Sequence, residues 1–65
     1  MGKIYYKILI VGVEKPIEIS DNDLLIKYVK ELIDKGYYPY YTDTDIAYGK
    51  NDISLEIRIY FEKWG

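Results

Sequence analysis

Three acidic side chains have the types and spacing that could do chemistry in this sequence. Asp43 and Asp45 are separated by one residue, Thr44, and Glu56 follows in the neighbouring predicted strand. Such hard oxygen ligands suit Ca²⁺ or Mg²⁺, and paired carboxylates perform glycoside hydrolysis. The same charges also protect a sheet edge against aggregation. Because no glycine-containing ligand loop accompanies them, and 65 residues leave little room for a cleft, we expect neither a metal site nor an enzyme.

The residue types that most often carry catalysis are missing from the chain. It has no histidine and no cysteine, which removes the commonest general base, disulfides and thiolate metal sites. Its glycines stand singly, so no phosphate-binding glycine loop is present. The net charge of −2 argues against nucleic-acid binding by phosphate neutralisation. These features predict a binding protein without a cofactor.

Tyrosines are concentrated in one segment, GYYPYYTDTDIAYG, which holds five of the nine in the chain. Tyrosine is enriched at the energetically dominant positions of interfaces, and it is also simply a favourable strand residue. The segment is therefore either a recognition surface or part of an ordinary antiparallel sheet. Its position in the fold decides between these two interpretations.

Alternating apolar residues predict a long first strand over residues 3–13 and a short second strand over residues 17–20. Pro16 separates them, because proline lacks a backbone donor and belongs at a strand start or on a sheet edge. A tight turn between the two strands is expected to place Ile17 beside Gly12.

The clearest predicted element is an amphipathic helix in the segment SDNDLLIKYVKELIDKG. Ser20 or Asp21 can cap its first free amides, and Gly36 is a natural left-handed terminator. Its apolar stripe at helical spacing consists of Leu25, Tyr28, Val29, Leu32 and Ile33.

The prolines also predict the order of the strands. Pro39 opens a third strand, whereas residues 53–61 alternate without interruption and form the fourth. Edge positions for the second and third strands give the order 2-1-4-3, with the first and fourth strands central and parallel and one helix on one face. This α+β, β-β-α-β-β arrangement over residues 1–65 predicts one compact domain. It resembles the β-grasp fold, and most closely the compact immunoglobulin-binding domains of bacterial surface proteins, in topology alone.

The register of the last two strands sorts the tyrosines between the faces of the sheet. Placing Asp43 opposite Arg58 forms a favourable cross-strand ion pair, whereas a slip of one residue turns every side chain over. The same register sets Tyr40 opposite Phe61. The tyrosines predicted to point toward the helix are Tyr38, Tyr40 and Tyr48.

The other face, which we call the open face, is predicted to be a recognition surface. Tyr41 and Tyr60 lie opposite each other there as an aromatic pair. Contiguous exposed apolar residues usually mark an interaction site. The predicted binding residues are Leu9, Val11, Val13, Tyr37, Tyr41, Tyr60 and Trp64.

These features predict a small non-enzymatic interaction module that binds a protein partner or a second copy of itself. Inhibitors of host machinery encoded by viruses or mobile elements are one class of such proteins. The alternatives are a partnerless structural or designed minimal domain, and a small-ligand binder that uses stacked tyrosines. No apolar run approaches a membrane span, and ILIVGV lacks the flanks of a signal peptide. We therefore expect a cytoplasmic protein without a membrane or nucleic-acid partner.

Overall fold

The computed structural model describes residues 2–64 and confirms the predicted topology. The sheet has the order β2-β1-β4-β3, in which β1 and β4 are parallel and the other neighbours are antiparallel. The elements are β1 (Gly2–Ile10), β2 (Ile17–Ile19), α1 (Asn22–Asp34), β3 (Tyr37–Tyr48) and β4 (Ile53–Lys63).

β1 is shorter than the sequence predicts, because the chain turns out of the sheet at Gly12. This glycine has a φ of 89°, in the left-handed region that favours glycine. The N–H of Val13 donates to the carbonyl of Ile10 at 2.9 Å and closes the turn. As a result Ile17 of β2 lies opposite Ile8, and the predicted neighbour, Gly12, is wrong.

α1 begins and ends where the sequence predicts. The side chain of Asp21 accepts a hydrogen bond from the N–H of Asp23 at 2.9 Å, so Asp21 is the N-cap. Gly36 follows the helix with a φ of 94°. Ile33, predicted in the apolar stripe, is instead half-exposed, because it lies about 100° around the helix from the buried Leu32. Within residues 2–64, no helix has the length and apolar character that crossing a membrane requires.

The core takes one buried side chain from each of four elements. Ile8 of β1, Ile19 of β2, Leu32 of α1 and Phe61 of β4 are in contact with one another. Partly buried neighbours such as Tyr28 surround them. α1 therefore packs on the sheet face that carries Ile8 and Phe61, and the other face is the open face.

α1 is too short to cover the whole of its face. Its 13 residues extend about 20 Å, whereas the 11 residues of β4 extend about 37 Å. The molecule is accordingly elongated, at 45 × 21 × 17 Å. Ile8, beneath α1, is 0% exposed, whereas Ile4, Ile46 and Ile53 nearer the β3–β4 turn are 52%, 50% and 50% exposed.

The strand order predicts a difference in amide exchange between opposed residues of β3 and β4. Ile59 of the central β4 and Thr42 of β3 lie directly opposite each other. Because β4 is hydrogen-bonded on both edges and β3 on one, we expect all amides of residues 55–61 to exchange slowly and alternate amides of β3 to exchange quickly. Hydrogen exchange followed by NMR measures this, and faster exchange in β4 than in β3 would contradict the order.

Truncation of Leu32 tests the assignment of the core. We expect Leu32→Ala to lower the free energy of unfolding by roughly 2–5 kcal/mol, as other core truncations do. Since domains of this size have roughly 5 kcal/mol of stability or less, the variant should be largely unfolded. The matched control is Leu24→Ala on the same helix, where the side chain is half-exposed. Urea denaturation that gives equal losses for both variants would refute the assignment.

Candidate functional site

A β-bulge in β3 decides which tyrosines reach the open face. Tyr41 lies opposite Tyr60, but Phe61 lies opposite Pro39. Tyr40 is therefore the extra residue, and its predicted place opposite Phe61 is wrong. A bulge leaves one residue out of the ladder, and it occurs here next to a proline, which has no N–H to contribute.

The extra residue reverses the alternation of β3 before the bulge. Tyr38 pairs with Glu62 on the open face, and its hydroxyl donates to the Glu62 carboxylate. Tyr37 pairs with Lys63 and packs against the core beneath α1. The predicted faces of these two tyrosines are therefore wrong, and Tyr37 does not belong to the open-face surface.

Five aromatic rings meet at one end of the open face, and we call them the aromatic cluster. The rings of Tyr41 and Tyr60 have centroids 5.4 Å apart, and those of Tyr40 and Tyr60 are 6.2 Å apart. The ring of Tyr38 lies 4.4 Å from that of Trp64, at a tilt of 32°. Tilted pairs at these separations are favourable beyond their buried area.

The aromatic cluster is anchored on the sheet and exposed at its surface. Tyr38 and Tyr60 are partly buried, whereas Tyr41 and Trp64 are 56% and 69% exposed. The N–H of Trp64 donates to the carbonyl of Gly36 at 2.8 Å, which holds the chain beyond β4 against the end of α1. The sheet thus holds the backbone of these residues in place, while the rings of Tyr41 and Trp64 remain exposed to solvent.

The aliphatic residues predicted for this surface are only partly brought to it. Leu9 lies next to Tyr60 in the parallel register of β1 and β4. Val11 follows the end of β1 but is still tied to the sheet, because its N–H donates to the carbonyl of Phe61 at 3.0 Å. Val13 lies in the turn, outside the sheet, so its predicted place on the first strand is wrong.

An ion-pair network crosses the other end of the open face and touches all four strands. Lys7 lies 3.1 Å from Glu56 and 3.7 Å from Glu18, and Arg58 lies 3.5 Å from Glu56 and 2.7 Å from Asp43. The predicted pair of Asp43 and Arg58 is therefore confirmed. The hydrogen bond to Asp43 raises the pKa of Arg58. Exposed pairs contribute little singly, but a connected network with this geometry aligns the strands.

The three carboxylates that suggested a cation site already have partners within the protein. Asp43 and Glu56 are paired with cationic side chains, and Asp45 accepts a hydrogen bond from the N–H of Ile46 at 2.9 Å. Among residues 2–64, no three side chains of the ligating types are grouped to hold a metal ion. Asp43 and Glu56 thus link neighbouring strands, whereas the bond of Asp45 is local to β3.

The pKa of the Tyr38 hydroxyl should be raised by its contact with Glu62. Its hydrogen bond to Glu62, then partial desolvation and the negative charge of Glu62, raise the pKa of Tyr38 above its ordinary value of 10.0. This bond stabilises the fold fully below about pH 10 and is lost as the pH rises through the higher folded-state pKa. Tyr38→Phe should therefore lower the melting temperature near pH 8, and its difference from the wild type should vanish in strong alkali.

Melting curves of both proteins from about pH 7 upward measure this difference. NMR titration of the Tyr38 ring gives the pKa directly, and Glu62→Ala is the control that should return that pKa toward its ordinary value. A melting difference that is independent of pH would contradict the bond.

Comparison with known proteins identifies no relative of the chain. No family model matches it, and no curated protein or solved structure matches it either. The candidate function therefore depends on the geometry of the described residues.

Proposed function

We propose that this protein is a non-enzymatic interaction module that binds a protein partner through the aromatic cluster. The single observation that carries the proposal is that a trio and a pair of aromatic rings lie together at one end of the face opposite the helix. Tyr60 lies between Tyr40 and Tyr41 in the trio, and the tilted pair of Tyr38 and Trp64 lies beyond it along the sheet. Three of the five rings, those of Tyr40, Tyr41 and Trp64, are about half-exposed or more.

The composition of the aromatic cluster suits a protein surface. Tyrosine and tryptophan dominate binding energies at interfaces because they bury a large area while losing little conformational freedom. Their hydroxyl and indole N–H groups also allow them to face water when no partner is bound. Leu9 adds an aliphatic side chain beside Tyr60. A folded, preorganised patch of this type can bind without first ordering its side chains.

The surroundings of the aromatic cluster also resemble the anatomy of an interface. The ion-pair network of Lys7, Glu56, Arg58 and Asp43 borders it on the same face. Interfaces commonly have an aromatic centre and a polar rim, and the rim charges set orientation more than affinity. Since these rim charges are already paired within the protein, the rings supply most of the binding energy.

A flat surface favours a macromolecular partner over a small ligand. Small molecules bind in concave sites that bury most of their surface. The aromatic cluster lies on one face of an open sheet, and the depression beside Tyr48 and Ile53 is at the opposite end of that sheet. A protein surface is therefore the class of partner that the rings fit best.

Substitution of the central ring tests the proposal. Tyr60→Ala should weaken partner binding by about 2 kcal/mol or more, which is roughly a 30-fold loss of affinity. Trp64→Ala should also weaken binding, and because this side chain is 69% exposed we expect the variant to remain folded. The matched control is Tyr5→Ala, because Tyr5 is an exposed tyrosine of β1 that lies beside Glu56, outside the aromatic cluster.

The measurement begins with capture of host proteins on the immobilised wild type and on the three variants. Calorimetry with the captured protein, and circular dichroism of each variant, separate lost binding from lost folding. If Tyr60→Ala and Trp64→Ala bind as tightly as the wild type, the aromatic cluster is not the binding surface. If they change melting alone and no partner is captured, the rings support the sheet and the proposal fails.

A further inference from the structure

A second apolar surface lies on the opposite face and at the opposite end of the sheet. Ile4, Leu55 and Ile46 are neighbours across three strands, and Ile53 and Tyr48 form the next pair toward the turn. By strand alternation they share the face of the buried Ile8 and Phe61. We call this surface the hairpin shelf, and it consists of Ile4, Ile46, Tyr48, Ile53 and Leu55.

The hairpin shelf is uncovered because of the direction in which α1 runs. β2 ends at Ile19 opposite Tyr6, and α1 starts three residues later, at Asn22. The helix then leads to Gly36, whose carbonyl accepts a hydrogen bond from the N–H of Trp64, just beyond the end of β4. α1 therefore runs away from the β3–β4 turn, and Ile4 and Leu55 lie beyond its first turn.

The exposed area of the hairpin shelf is large for so small a protein. Its three isoleucines are half-exposed, Tyr48 is 77% exposed and Leu55 is partly buried. At this exposure the five residues present roughly 400–500 Å², and apolar patches of this size are often functional. Two such patches in full contact would together bury roughly 800–1,000 Å², which reaches the lower limit for a specific interface.

The shape of the molecule indicates what can cover this area. A helix with its side chains is about 10–12 Å thick, and two sheets pack face to face about 10 Å apart. The hairpin of a second molecule therefore fits the layer that α1 occupies over the rest of the sheet. If two copies lie antiparallel, the β3–β4 hairpin of each copy packs on the hairpin shelf of the other. The tip of each hairpin then lies near the start of α1 in the other copy.

We propose that the hairpin shelf binds a second copy of this chain and forms a two-fold homodimer, in which each hairpin continues the helix layer of its partner. A surface that pairs with itself closes after two copies. This interface is separate from the aromatic cluster, which remains exposed on the outer face of each copy. The dimer would thus present two aromatic clusters to a partner.

The charges near the hairpin shelf permit this packing. All five shelf side chains are uncharged. In the antiparallel arrangement the turn of one copy, which carries Lys50 and Asp52, approaches the helix start of the other. That helix start carries Asp21 and Asp23 as well as the positive end of the helix dipole. Lys50 can therefore approach the aspartates, and Asp52 can approach the positive end of the dipole.

Pairing through the free edge of β3 is disfavoured by comparison. That edge contains Pro39 with its bulge, as well as the acidic residues Asp43 and Asp45. Proline, bulges and edge charges are the features by which proteins prevent edge-to-edge association. Self-association through the face of the hairpin shelf meets none of these obstacles.

Sedimentation of the wild type and two matched variants tests the dimer. Ile46→Lys places a charge in the hairpin shelf, at an edge-strand position that tolerates lysine. Ile33→Lys makes the same change at a half-exposed isoleucine near the end of α1. We expect a monomer–dimer equilibrium for the wild type, a dimer constant at least tenfold weaker for Ile46→Lys, and no change for Ile33→Lys. Circular dichroism verifies that all three proteins are folded.

Contacts across the dimer can also be observed directly. In a sample that mixes ¹³C-labelled and unlabelled protein, we expect intermolecular NOEs from the methyl groups of Ile4, Ile53 and Leu55. Each of these groups lies on the hairpin shelf, so NOEs from Leu9 instead would place the contact on the open face.

Several outcomes would overturn the dimer. A wild type that remains monomeric at the highest soluble concentration excludes it, and so does equal dimerisation of the wild type and Ile46→Lys. Dimerisation that is lost in Tyr60→Ala but retained in Ile46→Lys assigns self-association to the aromatic cluster. Species that grow beyond two copies indicate head-to-tail packing. Partner capture that depends on Tyr60 is a separate readout, so either proposal can fail alone.

Discussion

The limited reach of α1 is the constraint on which the exposed surfaces of this protein depend. A helix of 13 residues lies over a sheet whose central strand has 11 residues, and a helix rises less than half as far per residue as a strand. α1 therefore buries Ile8 and Phe61 but leaves Ile4 and Ile53 half-exposed. It leaves the open face wholly uncovered. A small hydrophobic core is the result, and apolar surface remains at both ends of the molecule.

The bulge of β3 has the second largest effect, because it distributes the tyrosines between the faces. One unpaired residue, Tyr40, places Tyr37 against the core under α1 and brings Tyr38 beside Trp64. The same irregularity protects the edge of β3. The bulge at Tyr40 thus contributes to the packing of the core, to the protection of the edge and to the assembly of the aromatic cluster.

The open face combines an electrostatic half and an aromatic half on the same strands. Lys7 and Arg58 are neighbours in β1 and β4, and each is held between carboxylates. Two residues further along, Leu9 and Tyr60 occupy the equivalent positions. The ion pairs hold the strands in register beside the rings. The geometry of the aromatic cluster is therefore set by the sheet and does not depend on a partner.

Much of this arrangement is determined by the sequence alone. The period of the apolar residues defines the elements, Pro16 and Pro39 assign the edge strands, and opposite charges at Asp43 and Arg58 select the register. Only the tertiary structure decided the end of β1 at Ile10, the faces of Tyr37 and Tyr38, and the exposure of the hairpin shelf. The physical reason is that the alternation of apolar and polar residues indicates only which residues share a face within one strand. A bulge or an uncovered end depends on which residues of other elements lie opposite, and that information is not local.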